Sequence, residues 1–472
     1  MEVNEAAAAQ PAVGGRAHRV LAISLVAAIG GFLFGFDTAV INGAVSAIQH
    51  QFNASPLALG LSVSAALIGS AVGAWYAGQV ADRIGRPRTM VVAAILFLIQ
   101  SIGAGLAVTL WDLSFWRFLG GVGVGIASVV APAYIAEVAP ANLRGRLGSL
   151  QQLAIVTGIF AALLCDFAIA SLAGGSEHAW VFGAAAWRWM FFIEAIPAVV
   201  YGFFALTIPE SPRFLVAHLR EAEAESVLRM IVGSAAAAKV VEIRETVLTE
   251  RRPRLGDLVG GQYGLLPIVW IGIALSVFQQ FVGINVIFYY SSVLWQAVGF
   301  SESDSLKITV ITSVTNIATT LVAIALVDRV GRKPLLLTGS VGMTVTLGLL
   351  AYLFGTAGLD AHGQPVLAGG AGPLALVAAN LYVVFFGMSW GPVVWVLLGE
   401  MFPNRIRAIA LSVAAAAQWI ANFLVSTTFP PLKDVSLDLA YGIYTVAALL
   451  SLLFVFLLVR ETRGKELEHM ED

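Results

Sequence analysis

Three charged residues, Asp37, Arg117 and Glu194, sit inside long apolar runs at 20–46, 112–136 and 187–207. A charge at membrane depth is costly, so each is a functional hypothesis by default. A carboxylate that alternates between a guanidinium partner and a proton can carry one proton per cycle. Its proton affinity falls beside the cation and rises when it is desolvated alone. At ~1.5 Å per helical residue, Asp37 lies ~25 Å from the start of its run, and Arg117 ~8 Å from the opposite face. The depths match, so pairing is expected; a static structural ion pair is the other reading. Glu194 either shares in the proton step or braces its helix. Asp166 lies near the end of the run 147–172 and is expected to reach water. All six histidines fall outside the runs, so an embedded proton relay must use carboxylates.

A second set is uncharged. Gln152, Gln279, Gln280, Asn285, Asn316, Gln418 and Asn422 place amides inside apolar runs. Amides donate and accept together, which suits a solute covered in hydroxyls. In a membrane they serve equally to join helices. Gln280 and Asn285 are five residues apart, roughly 140° around a straight helix, and so do not share a face. Gly283 between them permits a break that brings both to one place.

These residues need elements to hold them. Of 472 residues, 58% are hydrophobic and 12% charged, about half the usual charged share; the mean hydropathy is +0.85. Disordered, collagenous, coiled-coil and disulfide-scaffold chains are excluded. A polytopic α-helical membrane protein remains. Twelve runs are long enough to cross a bilayer: 20–46, 57–80, 88–108, 112–136, 147–172, 187–207, 265–298, 306–327, 334–354, 374–400, 408–429 and 438–459. The net charge of −2 gives no sign of nucleic-acid binding. The single cysteine, Cys165, makes no intrachain disulfide. All but four of the 27 Lys and Arg (Arg117, Arg188, Lys307 and Lys433) fall in the tails or in connections on one side. The positive-inside rule makes that side cytoplasmic, with both termini there.

The chain also repeats itself. Asp82-Arg83-Ile-Gly85-Arg86 follows run 2, and Asp328-Arg329-Val-Gly331-Arg332 follows run 8. Glu137-Val-Ala-Pro, with Arg144, follows run 4; Glu400-Met-Phe-Pro, with Arg407, follows run 10. Glu210 and Glu461 stand after runs 6 and 12. The expected organisation is a cytoplasmic tail (1–19), a six-helix half (20–207), a cytoplasmic linker with short amphipathic helices (208–264), a second half (265–459) and a tail (460–472). Parallel repeats of this kind place a small-solute site at the midplane between halves, with alternating access by rocking. Arg83 and Arg86 are expected to work with Glu137 and Arg144, and Arg329 and Arg332 with Glu400 and Arg407. Glu210 and Glu461 would extend each network. The plainer reading is positive-inside topology with solvated charge.

Several segments carry a resemblance: Gly78-Gln-Val-Ala-Asp82-Arg83-Ile-Gly85-Arg86, Pro209-Glu-Ser-Pro-Arg213, Gln279-Gln280-Phe-Val-Gly283-Ile-Asn285-Val-Ile-Phe-Tyr289-Tyr290, Trp390-Gly-Pro-Val-Val-Trp395 and Arg460-Glu-Thr-Arg-Gly-Lys. Together they span nearly the whole chain. The sequence resembles the sugar porter family of the major facilitator superfamily, and within it the bacterial xylose– and hexose–proton symporters. The resemblance implies an all-α major facilitator fold of twelve transmembrane helices. It implies a sugar site of Gln152, Gln279, Gln280, Asn285, Asn316 and Trp395, lined by Phe34, Gln418 and Trp419, with Tyr289 and Tyr290 as an outer gate. It implies proton coupling at Asp37, because facilitators carry a neutral residue there, and Glu194 matches a family position. The charge clusters would latch the outward-open state. Ile159 departs from the xylose symporter, which has glutamine there, and leaves glucose or a broad pentose and hexose range open.

The expected function is import of a monosaccharide, xylose or a glucose-type hexose, with a proton. A facilitator for a sugar or inositol is the alternative, and a sugar sensor without net transport a remote one. The expected partners are the monosaccharide, the proton and the lipid bilayer. A monomer is expected, with no metal and no cofactor beyond the proton gradient. Gly121-Val-Gly-Val-Gly125 looks like a phosphate loop but lies inside run 4, with no strand before it. No HExxH, GxSxG or CxxC motif supports an enzyme. The short connection holding the glycosylation match Asn53-Ala-Ser favours a bacterial inner membrane.

Overall fold

The computed structural model describes residues 11–139, 144–249, 255–260, 264–359, 365–367, 369–403 and 406–462. Among them are twelve helices long and apolar enough to cross a membrane. These are span 1 (His18–Gln51), span 2 (Pro56–Ile84), span 3 (Arg86–Leu106), span 4 (Leu110–Val138), span 5 (Leu150–Ala173), span 6 (Ala186–Ala205), span 7 (Pro267–Ala297), span 8 (Glu302–Val327), span 9 (Arg332–Gly355), span 10 (Ala371–Met401), span 11 (Ile409–Val435) and span 12 (Leu437–Leu458). The expected all-α membrane architecture is observed. Span 1 runs on to Gln51, so His50 lies in its last turn rather than in a loop.

Local chemistry explains where the helices start. Ser55, Thr109, Ser301 and Ser436 cap spans 2, 4, 8 and 12, each accepting from a backbone N–H three residues on. Spans 3 and 9 follow Gly85 (φ +96°) and Gly331 (φ +105°), in a region that glycine adopts without strain. Four spans are interrupted where the site lies, span 6 among them between Phe192 and Ala195. Span 1 turns at Val40, span 7 at Gly283 (φ +83°) and span 10 at Ser389.

Spans 2 and 4 touch backbone to backbone. A Cβ at Gly121 would run into the Ala66 carbonyl, and one at Gly69 into the Phe118 carbonyl. Small residues at these positions let the helices approach closely where lipid offers no hydrophobic drive to do so. In the linker, helix Glu221–Ile231 buries Ala224, Val227, Leu228 and Ile231, the i, i+3, i+4, i+7 stripe of a surface helix.

Hydrogen bonds between the two six-helix groups cluster at the end poor in Lys and Arg, called outer below. Asn42 Nδ2 donates to the Phe288 carbonyl at 2.9 Å, and the Ser292 N–H donates to Asn42 Oδ1 at 3.2 Å. Ser64 and Thr427 share a hydroxyl bond at 2.6 Å, and the Ser176 N–H donates to Glu302 at 2.9 Å. The outer side is therefore held shut.

Candidate functional site

The intramembrane charges converge. Asp37 lies one turn before the span 1 break, and Arg117 lies two turns into span 4. Arg117 Nη1 donates to the Asp37 carbonyl at 2.7 Å and to Oδ1 at 3.2 Å. Both side chains are buried, with the guanidinium 6.0 Å from the Phe191 ring centroid. Glu194 sits, fully buried, at a break in span 6 between Phe192 and Ala195. Gln100 of span 3 joins the carboxylates: its Nε2 donates to Asp37 Oδ1 and, at 3.3 Å, to Glu194 Oε2. Gly120 makes room for it, since a Cβ there would meet Gln100 Cγ. The cluster holds two carboxyls and one guanidinium, and Asp37 Oδ2 and Glu194 Oε1 have no partner. With both carboxyls ionised it would be a buried site one charge negative. One proton neutralises it.

Sequence reasoning missed Gln100 and Asn42. Each is an amide inside an apolar helix, the same signal that singled out Gln280. Asp166 is also placed differently from expectation. It is fully buried against span 1 and does not reach water, because the outer helix of that span covers it.

The amides of span 7 meet at the Gly283 break. Asn285 Nδ2 donates to Gln280 Oε1, and Gln280 Nε2 lies 3.4 Å from Gln279 Oε1. Gln279 Nε2 in turn donates to the Trp390 and Gly391 carbonyls at 2.8 and 3.1 Å, at the span 10 break. Tyr382 also ties the two broken spans, donating to the Val282 carbonyl at 2.7 Å. Tyr289 and Tyr290 are buried: the Tyr289 hydroxyl accepts from Asn422 at 3.4 Å, and Tyr290 donates to the Ser426 carbonyl at 2.7 Å. Phe34 and Trp419 meet across the halves, ring centroids 5.8 Å apart. Asn316 is buried near Gly387. Gln152 and Gln418 are half-buried, and Gln418 Oε1 lacks a partner. Trp395 is 39% exposed, whereas Trp390 is buried and donates to Ser340. Among the described residues no bond or ring contact ties Gln152, Asn316 or Trp395 to the Gln279–Gln280–Asn285 trio.

On the cytoplasmic side, Arg86 grips Glu137 through Nε and Nη2 at 3.1 and 3.0 Å and pairs with Asp82 at 3.0 Å. Its backbone N–H donates to Glu210 at 2.9 Å. Burial pushes the Glu210 carboxyl up, against the pull of the Arg86 and Ser211 N–H groups. In the second half, Arg332 grips Glu400 at 3.0 and 2.7 Å, and its N–H donates to Glu461 at 3.0 Å. Two expectations need correcting. Arg83 and Arg329 are exposed and do not bond Glu137 or Glu400; the turn at Gly85 and Gly331 aims only the second arginine of each motif inward. Arg407 donates to the Phe402 carbonyl at 3.1 Å rather than joining Glu400. The Arg144 side chain lies outside the described residues.

Residues 23–472 match the family model described as sugar (and other) transporter. A glucose transport protein of Synechocystis sp. is 63% identical over 453 residues, covering 96% of this chain and 97% of the relative. A D-xylose-proton symporter of Escherichia coli is 38% identical over 485 residues, covering 96% and 95%. Among solved structures, the inward open conformation of the xylose transporter from E. coli matches with a TM-score of 0.81 at 37% identity, covering 96% of this chain and 99% of that one.

Proposed function

The chain belongs to the sugar transporter family of the major facilitator superfamily, and from that premise we propose that it is a proton-coupled monosaccharide symporter, with glucose its foremost substrate. The observation that carries the coupling is the buried Asp37–Arg117–Gln100–Glu194 cluster, which has one carboxyl more than it has cations. A symporter needs a group that takes up one proton per cycle, and this cluster offers one. Glucose is favoured over xylose by the 63% relative and by Ile159 in place of an amide.

The cycle follows from the geometry. With the outer side open, a proton from that side neutralises the Asp37–Glu194 pair, and sugar hydroxyls meet the Gln279, Gln280 and Asn285 amides. The remaining members of the set, Gln152, Asn316, Trp395, Phe34, Gln418 and Trp419, close on the sugar from the other spans. Tyr289 and Tyr290 move inward with the outer helix of span 7, and Asn42 fastens that helix to span 1. The structure has the outer bonds made, the arrangement reached after closure. Release of sugar and proton to the cytoplasm leaves Asp37 to Arg117 again. The Arg86 and Arg332 networks, each complete within its own half here, brace the cytoplasmic ends; a latch of the outward-open state needs contacts between the halves in addition. The site lies within one chain, so a monomer suffices. The Lys and Arg bias supports both termini being cytoplasmic, and the relatives support a bacterial plasma membrane.

Liposomes containing the protein, given an inward proton gradient, test this. Labelled glucose, xylose, galactose and inositol are supplied with and without an uncoupler. Uphill, uncoupler-sensitive uptake of glucose is expected. Uptake that only equilibrates would make the protein a facilitator and the Asp37–Arg117 pair structural.

A further inference from the structure

Asp166 is a buried carboxyl that the proton step above does not use. Its side chain in span 5 has no exposed surface. Oδ2 accepts from the Gly43 N–H at 3.1 Å, and Oδ1 has no partner. Any side chain at Gly43 would collide with this carboxyl, so the glycine is what admits it. Gly43 is the third residue of the helix Ile41–Gln51, the outer part of span 1. The preceding residue, Asn42, is the one that fastens span 1 to Phe288 and Ser292 of span 7. Asp166 therefore stands directly behind the outer clasp.

Among the described residues, the charged groups in the outer half of the packed elements are engaged elsewhere, Asp112 of span 4 by the Val108 N–H and Trp116 Nε1 at 3.0 and 2.9 Å. Asp37 pairs with Arg117, and His50 with Glu177 at 2.6 Å. Arg188 donates to the Gly105 and Ala107 carbonyls at 2.9 and 2.8 Å. Glu194 is bound by Gln100, Glu302 accepts from Ser176, and Lys307 pairs with Asp304. The outer helix of span 7, Ile284–Ala297, has no charged residue, and the nearest group on span 5 itself is the half-buried Cys165 thiol. One N–H bond at a helix start favours the anion. Among the described residues no cation bonds it, and a fully desolvated carboxylate without one is costly.

We propose that Asp166 is a second proton-binding site, which takes a proton from the outer side as the outer clasp closes and returns it to the same side as the clasp opens. With the outer side shut, the carboxyl is sealed from both faces, so this proton is not carried inward. External acidity then promotes closure without adding to the protons transported per sugar. The inference rests on the alternating-access reading.

The test uses the full chain in lipid nanodiscs, with Cys165→Ser and spin labels at Leu57→Cys and Val435→Cys. These positions are 55% and 74% exposed at the outer ends of spans 2 and 11. Asp37→Asn and Glu194→Gln in the same chain remove the response of the coupling cluster. The ratio of short to long label distances is expected to rise by up to ~tenfold per unit fall in pH, the slope of a single linked proton. Asp166→Asn, permanently neutral, should hold the short distance at every pH. A ratio indifferent to pH before Asp166 is changed, or an unaltered response after it, overturns the proposal; the first result decides even if Asp166→Asn does not fold. Glucose that changes the distance while pH does not leaves alternating access standing and removes Asp166. A distance that answers to neither removes both.

Discussion

Arg332 makes in the second half the bonds that Arg86 makes in the first. Each clamps one glutamate through Nε and Nη2, donates through Nη1 to the carbonyl five residues earlier (Ala81 or Val327), and donates its backbone N–H to a second glutamate. Both networks are complete within their own halves while the outer side is shut. Because the environments match, Arg86→Ala and Arg332→Ala should destabilise the protein about equally. Each leaves a partly buried glutamate without its guanidinium, at a cost of about 1–3 kcal/mol, although Glu400 keeps the Thr462 hydroxyl at 2.7 Å. Thermal unfolding in detergent checks this; a loss confined to one variant would show that the repeat in sequence is not a repeat in energetics.

Asp37→Asn is expected to abolish uphill accumulation and to leave sugar counterflow intact, since the neutral amide keeps the packing but binds no proton. Uphill uptake by this variant would remove the coupling role. Gln100→Leu separates positioning from proton binding. It strips the shared donor from both carboxylates while leaving the Arg117 pair, so the pH profile of uptake should shift. Proton-driven uptake at neutral pH should fall about tenfold, the worth of one strong hydrogen bond to a charged group. Counterflow should hold. Gln100→Glu, adding a third carboxyl, should shift the profile further than Gln100→Leu; an unchanged profile in both would make Gln100 packing only.

The twelve helices were legible because hydropathy and the Lys and Arg bias act over whole segments. The Gly283 break was legible because two amides on different helix faces needed one. Gln100 carried the amide signal but no repeat or motif beside it, and what its role rests on, reaching Asp37 and Glu194 from a third helix, is not in the sequence. Asp166 misled for the opposite reason. Its distance from the helix end suggested water, but burial there is set by the outer part of span 1, which sequence position does not reveal. The choice of Arg86 over Arg83 depends on the glycine turn and is likewise three-dimensional.

Gly121→Ala should lower thermal stability by about 1–3 kcal/mol, the cost of forcing extra volume into a packed contact. The new methyl would meet the Ala66 carbonyl, which span 2 cannot withdraw without moving as a unit. Gly78→Ala is the control. Nothing lies within reach of a Cβ there, and alanine is the better helix former. Its melting temperature in detergent should stay level or rise. If both variants melt alike, the close approach of spans 2 and 4 is not what fixes the N-terminal half.

Gln280 and Gln279 are adjacent, yet they should behave differently. Gln279 spends its amide nitrogen on the Trp390 and Gly391 carbonyls and so joins spans 7 and 10 at their breaks. Gln279→Ala removes those bonds between the spans and should lower both stability and sugar affinity. Among the described residues Gln280 bonds only its neighbours Gln279 and Asn285, contacts that a sugar hydroxyl can replace. Gln280→Ala should leave the melting temperature of the sugar-free protein nearly unchanged. Its glucose affinity should fall about tenfold or more, since a lost hydrogen bond of about 1.4 kcal/mol is a factor of ten. Xylose and galactose should weaken alongside glucose, because the amide reads hydroxyls rather than ring size. Calorimetric titration of purified protein with each sugar separates the outcomes: unchanged affinity with an unchanged melt would place Gln280 outside the site, and a lowered melt with unchanged affinity would make it a helix joiner.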